Sequence, residues 1–205
     1  SGKFIHSGGT IAATGEGVWV GYQNDTAIYE LSGKGRISTT NLLVRAQFVQ
    51  NGGTVLVDDR LGIEPAYGAG KYLLNAGTLS SGRELIEDRG VFQQTGGVHN
   101  IANGIMVGGY NLGGTSGVGD PTYDMQGGDC KIEGRTWVFN RNGGDAYFRL
   151  SNAASLETEE LLVADNGYFQ QSGGSHQAEY IRLSNGGSYS YTAGTLEITR
   201  ALAGE

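Results

Sequence analysis

The chain has 205 residues, of which only 17% are Asp, Glu, Lys or Arg and only two are proline, while glycine contributes 37. That composition lacks the charged residues of surface helices and the proline of collagen-like chains; it has instead the Gly, Ser, Thr, Asn and Tyr of many short strands joined by turns. A formal charge of −7 repels phosphate backbones, and no run approaches the roughly 20 apolar residues of a membrane span, so neither nucleic acid nor membrane insertion is expected.

From the N-terminus, two phrases alternate. Phe4-Ile5-His6-Ser7-Gly8-Gly9 is followed by Tyr29-Glu30-Leu31-Ser32-Gly33, Phe48-Val49-Gln50-Asn51-Gly52-Gly53 and Tyr72-Leu73-Leu74-Asn75-Ala76-Gly77. Phe92-Gln93-Gln94-Thr95-Gly96-Gly97, Tyr123-Asp124-Met125-Gln126-Gly127-Gly128 and Phe148-Arg149-Leu150-Ser151 come next. Phe169-Gln170-Gln171-Ser172-Gly173-Gly174 and Tyr189-Ser190-Tyr191-Thr192-Ala193-Gly194 close the series. The spacing of the aromatic starts suits one turn of a parallel β-helix with three short strands per coil. The expected fold is all-β: a single-domain, right-handed parallel β-helix of about nine coils spanning residues 1–205, right-handed crossover being the rule for parallel strands. At ~4.8 Å per coil the rod is roughly 40 Å long. Neither end offers a capping helix, so a segment of a longer array, or end-to-end self-association, is expected.

Within each phrase, the aromatic and the residue two later share one strand face, which is placed inward. The rings then stack into a ladder, Gln50, Gln94 and Gln171 form an amide ladder beside it, and the Gly-Gly supplies positive φ at the bend. His6 stands in for the ladder glutamine. His99 and His176 share one position where other copies have Ile11 and Val55, which favours inward, hydrogen-bonded histidines over a ligand or base. Cys130 has no partner for a disulfide or metal site and is assigned to the core. Apolar third strands follow: Val18-Trp19-Val20, Leu42-Leu43-Val44, Leu85-Ile86, Ile105-Met106-Val107, Leu161-Leu162-Val163 and Ile181-Arg182-Leu183. Their alternation turns Trp19 and Arg182 outward.

The Tyr-x-Leu-x-Gly-Gly and Phe-x-Gln-x-Gly-Gly alternation resembles the β-helical repeat arrays of bacterial secreted and surface proteins, the pectin-lyase-like solenoids of autotransporter-type passengers. The resemblance covers nearly the whole chain. It implies a secreted or cell-surface setting and an adhesive or display role, and it carries over no catalytic residues.

Function is sought where the period breaks. Three insertions, 21–28, 64–71 and 108–122, follow a third strand and are expected on one flank of the rod. They bring Tyr22, Asn24, Asp25, Tyr67, Tyr110, Asn111 and Asp120, aromatic faces and polar groups of the kind that hold sugars. The same tyrosines can equally cap loops or pack on neighbouring coils. Asp58-Asp59-Arg60 and the group Glu157, Glu159 and Glu160 read as solvated turns rather than catalytic pairs. Gly113 to Asp120 has the look of a calcium-binding glycine repeat, but one copy with one carboxylate is too little, and no metal or cofactor is assigned. The expected function is non-enzymatic glycan or polysaccharide binding, adhesion or display. The alternative is a polysaccharide lyase or glycoside hydrolase, or a fragment of one.

Overall fold

A computed structural model of the chain describes residues 2–22, 26–64, 70–109, 119–141 and 143–200. Among them are only strands and turns, wound into a parallel β-solenoid of about eight turns. The nine aromatic starts bound those turns. Each complete coil lays down three short strand segments, and every segment of the inner coils pairs in parallel with its counterparts in the coils above and below, the terminal coils pairing on one side.

The first face carries the ring column. Phe4, Tyr29, Phe48, Tyr72, Phe92, Tyr123, Phe148, Phe169 and Tyr189 stack in unbroken succession, with neighbouring centroids 4.5–5.3 Å apart. That spacing matches the coil rise of ~4.8 Å, so the rings repeat with the backbone and gain stacking beyond their area burial. Phe48 through Phe169 are fully buried, whereas the terminal Phe4 is 54% exposed. Where a ring is followed by Gly-Gly, the bend falls on the second glycine: Gly9, Gly53, Gly97, Gly128 and Gly174 have φ between +67° and +80°. There a side chain would be strained, and at Gly97 a Cβ would also lie 2.7 Å from the carbonyl of Gly77.

The expected amide ladder does not form. Gln50 pairs in register with Leu74, and Gln94 with Met125. The column reads His6, Leu31, Gln50, Leu74, Gln94, Met125, Leu150, Gln171 and Tyr191, so no glutamine has another within one rise. Their amides turn to backbone carbonyls instead: Gln50 Nε2 donates to Thr78 O at 3.0 Å, Gln94 Nε2 to Asp129 O at 3.1 Å and Gln171 Nε2 to Thr195 O at 2.8 Å. The phenol of the following coil supplies the rest. Tyr72 donates to Gln50 Oε1 at 2.6 Å and Tyr189 to Gln171 Oε1 at 2.7 Å, and the Tyr29 hydroxyl lies 2.8 Å from His6 Nδ1. A Tyr coil thus satisfies the polar group of the preceding Phe coil at His6, Gln50 and Gln171. At Gln94 it does not, because the Tyr123 hydroxyl turns to His99 and Cys130 and Gln94 Oε1 has no hydrogen-bond partner among the described residues.

The second face contributes the inward column Ile11, Ile37, Val55, Leu79, His99, Cys130, Leu156, His176 and Leu196. His99, Cys130 and His176 are buried. The third face contributes Val18, Leu42, Leu61, Glu84, Ile105, Thr136, Leu161 and Ile181 in one inward column and the run from Val20 to Leu183 in the other. Trp19 and Arg182 lie on its outer surface, as their alternation predicts.

Candidate functional site

Alternation on the third face leaves two outward columns. One reads Trp19, Leu43, Gly62, Leu85, Met106, Trp137, Leu162 and Arg182 in register. In the other, Asn41 pairs with Arg60 and Arg60 with Arg83; one coil on stands Gly104, then Arg135, which pairs with Glu160. Gly104 accepts from the Glu84 amide at 3.1 Å, has φ +95°, and has no room for a Cβ, which would lie 2.3 Å from Arg135 O. The backbone thus demands glycine between two arginines, and the missing side chain leaves a notch.

That notch encloses about 440 Å³; its walls are Arg60, Arg83 and Arg135 and its floor is Leu85, Met106 and Trp137. Acidic neighbours hold the guanidinium groups upright. Arg83 Nε is 3.2 Å from Asp59 Oδ1, Arg135 Nε donates to Glu160 Oε2 at 2.7 Å, and Arg60 Nη2 donates to Glu64 Oε1 at 2.6 Å. Among the described residues, the outer nitrogens of Arg83 and Arg135 make no hydrogen bond or ion pair. The notch continues toward Trp19, which is 50% exposed, through a second hollow that shares Arg60 and Arg83. Glu87, at the corner beside Glu64, has its carboxyl pushed up to about 7 by burial and then by the charges of Glu64 and Asp88.

Behind the notch wall lies a buried polar cluster. Glu84 occupies a slot that is Leu or Ile in most coils, and its Oε1 accepts from Ser81 Oγ at 2.8 Å and from His99 Nε2 at 2.7 Å. Burial alone would lower His99, but the Glu84 carboxylate, helped by Cys130, holds it up to about 10. His99 is therefore a cation at neutral pH. Its Nδ1 donates to the Tyr123 oxygen at 2.8 Å, which frees the Tyr123 proton for Cys130 Sγ at 3.3 Å. Glu84 Oε2 and Thr136 Oγ1 are buried without a hydrogen-bond partner among the described residues.

Of the sugar-contact residues expected on the insertions, Asn24, Asp25, Tyr67, Tyr110 and Asn111 lie outside the described residues. Tyr22 is 58% exposed at the corner of the first coil. Asp120, four rises further along at about 20 Å, accepts the Asp145 amide on Oδ1 at 3.0 Å. The insertions do not leave the third face at one point: the strands before the first two end in register at Val20 and Ile63, whereas the strand before the third runs two residues past the equivalent Val107 and pairs Gly109 with Asn140. Beside Asp120 stands an outward pair the phrases do not reveal: Tyr147 stacks on Tyr168 at 5.4 Å, is covered by the Arg149 guanidinium at 4.6 Å, and donates to Asp145 Oδ2 at 3.0 Å. The charged runs are solvated as expected: Asp58 and Asp59 are exposed, and Glu157 pairs with Lys131 at 3.4 Å.

Sequence reasoning missed the notch because its residues lie in coils whose corners differ in length. The register skips two residues between Val57 and Arg60 and again between Ile132 and Arg135, but only one between Ser81 and Arg83. The signal that marks Glu84 was present, since Glu84-Leu85-Ile86 aligns with Leu42-Leu43-Val44. No family model, no curated protein and no solved structure matches the chain, so the site is read from its own geometry.

Proposed function

We propose that this solenoid is a non-enzymatic module of a secreted or cell-surface protein that binds a carbohydrate chain and serves in adhesion or display. The observation that carries the reading is the notch: apolar side chains from three successive coils form a floor for the C–H faces of a sugar, and arginine donors on its walls meet hydroxyl or acidic groups. The floor is regular because the backbone beneath it is, so little ordering entropy opposes binding. Tyr22 and Asp120 extend the same proposal to the corner where the third face ends.

One observation favours the enzymatic alternative: Glu87, with its carboxyl near 7 and Glu64 beside it, has the acidity of a general acid. A glycan array followed by product analysis separates the two readings. Retention of a defined set of glycans without new reducing ends or unsaturated uronates supports the binding module. Product formation abolished by Glu87→Gln establishes the enzyme, and no retention of any glycan overturns the binding proposal.

A further inference from the structure

Resting on the carbohydrate reading, we infer that the notch selects an anionic sugar residue, with its carboxylate or sulfate group seated at the gap over Gly104 between Arg83 and Arg135. Two features set this apart from a generic sugar surface. The first is the spacing. Arg60 and Arg83 are one coil apart and Arg135 stands two coils beyond Arg83, so cationic groups recur along the rod at one and two rises, about 5 and 10 Å. A linear polymer laid along the axis meets them at intervals of the same order as its own monomers.

The second feature is the use of each guanidinium. Arg83 and Arg135 are 60% and 62% exposed and spend Nε on Asp59 and Glu160. The ion pairs engage Nε of each fork while the outer nitrogens remain able to donate. Guanidinium donors held in this way match the planar geometry of a carboxylate and the oxygens of a sulfate ester, whereas a hydroxyl uses a single donor. Gly104 keeps this gap clear, because its positive φ and the collision of a Cβ with the Arg135 main chain exclude any side chain between the two arginines. The apolar floor of Leu85, Met106 and Trp137 then carries the sugar ring to which the anion belongs. The Asp59 and Glu160 carboxylates at the rim also bear on selection, since they repel a polymer with acid groups on every side and favour one that offers its anions in register with the arginines.

The experiment is titration calorimetry of the whole chain against three polymers: polygalacturonate, the same polymer with its carboxyl groups reduced to alcohols, and heparin as the sulfated arm. The variants are Arg83→Gln, Arg135→Gln and the double change, with Arg36→Gln, an exposed arginine on the second face, as a control for net charge. Binding of at least one anionic polymer at tenfold or greater preference over the reduced polymer supports the inference. So does a loss of tenfold or more in each single variant with the control unchanged, circular dichroism showing the same fold throughout. The anionic arm that binds more tightly identifies carboxylate or sulfate as the group recognised. Equal binding of anionic and reduced polymers, unaffected by the two variants, overturns the inference and leaves the carbohydrate reading standing. No binding of any of the three, together with an empty glycan array, overturns both.

Discussion

His99 and His176 occupy the same slot of the repeat, 77 residues and three rungs apart, and are held there in opposite charge states. Both stack on a phenylalanine of the column, at 4.8 and 5.0 Å, and both place Nδ1 against a tyrosine hydroxyl, at 2.8 and 3.1 Å. They differ at Nε2. His99 meets the Glu84 carboxylate, while His176 lies 3.0 Å from Thr158 Oγ1. Since Tyr189 gives its proton to Gln171, His176 Nδ1 donates to Tyr189, and Thr158 Oγ1 can donate to Nε2 of a neutral ring, where no carboxylate is present to favour the cation. Burial then pushes its pKa down to about 4, whereas Glu84 holds His99 up to about 10. The coil fixes where a histidine sits, and one residue of a neighbouring strand decides its charge.

Breaking the pair at His99 has the largest expected effect. Glu84→Leu leaves a buried imidazole without its anion and Ser81 without its acceptor, and is expected to cost about 3–5 kcal/mol in denaturant unfolding. The double change Glu84→Leu with His99→Leu removes both charges and restores an aliphatic column, so it is expected to recover most of that loss or to exceed the starting stability. For comparison, Phe92→Ala, which interrupts the ring column without touching a charge, is expected to cost about 3–5 kcal/mol through the cavity it leaves.

Acid sharpens the comparison from the other side. His176 has a folded pKa near 4, below its unfolded value of about 6.5, so the unfolded chain binds the extra proton. The stability is therefore intact above pH 6.5 and falls between about 6.5 and 4, by about 3 kcal/mol on this residue's account. His176→Leu should remove that part of the acid sensitivity. His99 runs the opposite way: with its folded pKa near 10, its contribution is complete below about 6.5 and is lost as pH rises toward 10. When Glu84→Leu and His99→Leu are combined, this alkaline loss should disappear. The smallest expected effect is on binding, since the pair points into the core and the arginines point out: the double variant should bind the preferred glycan within about twofold of the native chain.

The ring column, both histidine slots and the outward Trp19 and Arg182 were legible because each repeats a local pattern at constant offset from an aromatic. What was not legible depends on which coil lies next to which. The glutamines read as a ladder only if Phe coils are stacked in isolation; once Tyr coils alternate with them, carbonyls and phenols become the nearer partners. Glu84 was hidden at the head of an apolar phrase, where its charge is compensated by a histidine from another coil. The notch requires knowing that Gly104 falls between Arg83 and Arg135, and corners of unequal length conceal that alignment until the strands are paired. Tyr147 and Tyr168 escaped notice because each directly precedes the phenylalanine that defines its phrase.

The most direct test is a histidine titration by NMR, following the ring carbon and nitrogen shifts of His99 and His176 from pH 4 to 10 and assigning them with the two single His→Leu variants. His99 is expected to stay protonated on both nitrogens through neutrality and to begin losing its proton only toward pH 10. His176 should remain neutral, with hydrogen on Nδ1, down to about pH 4. Two histidines titrating together near 6.5 would contradict these opposite charge states, and would mean that neither the Glu84 contact nor the closed core exists as described.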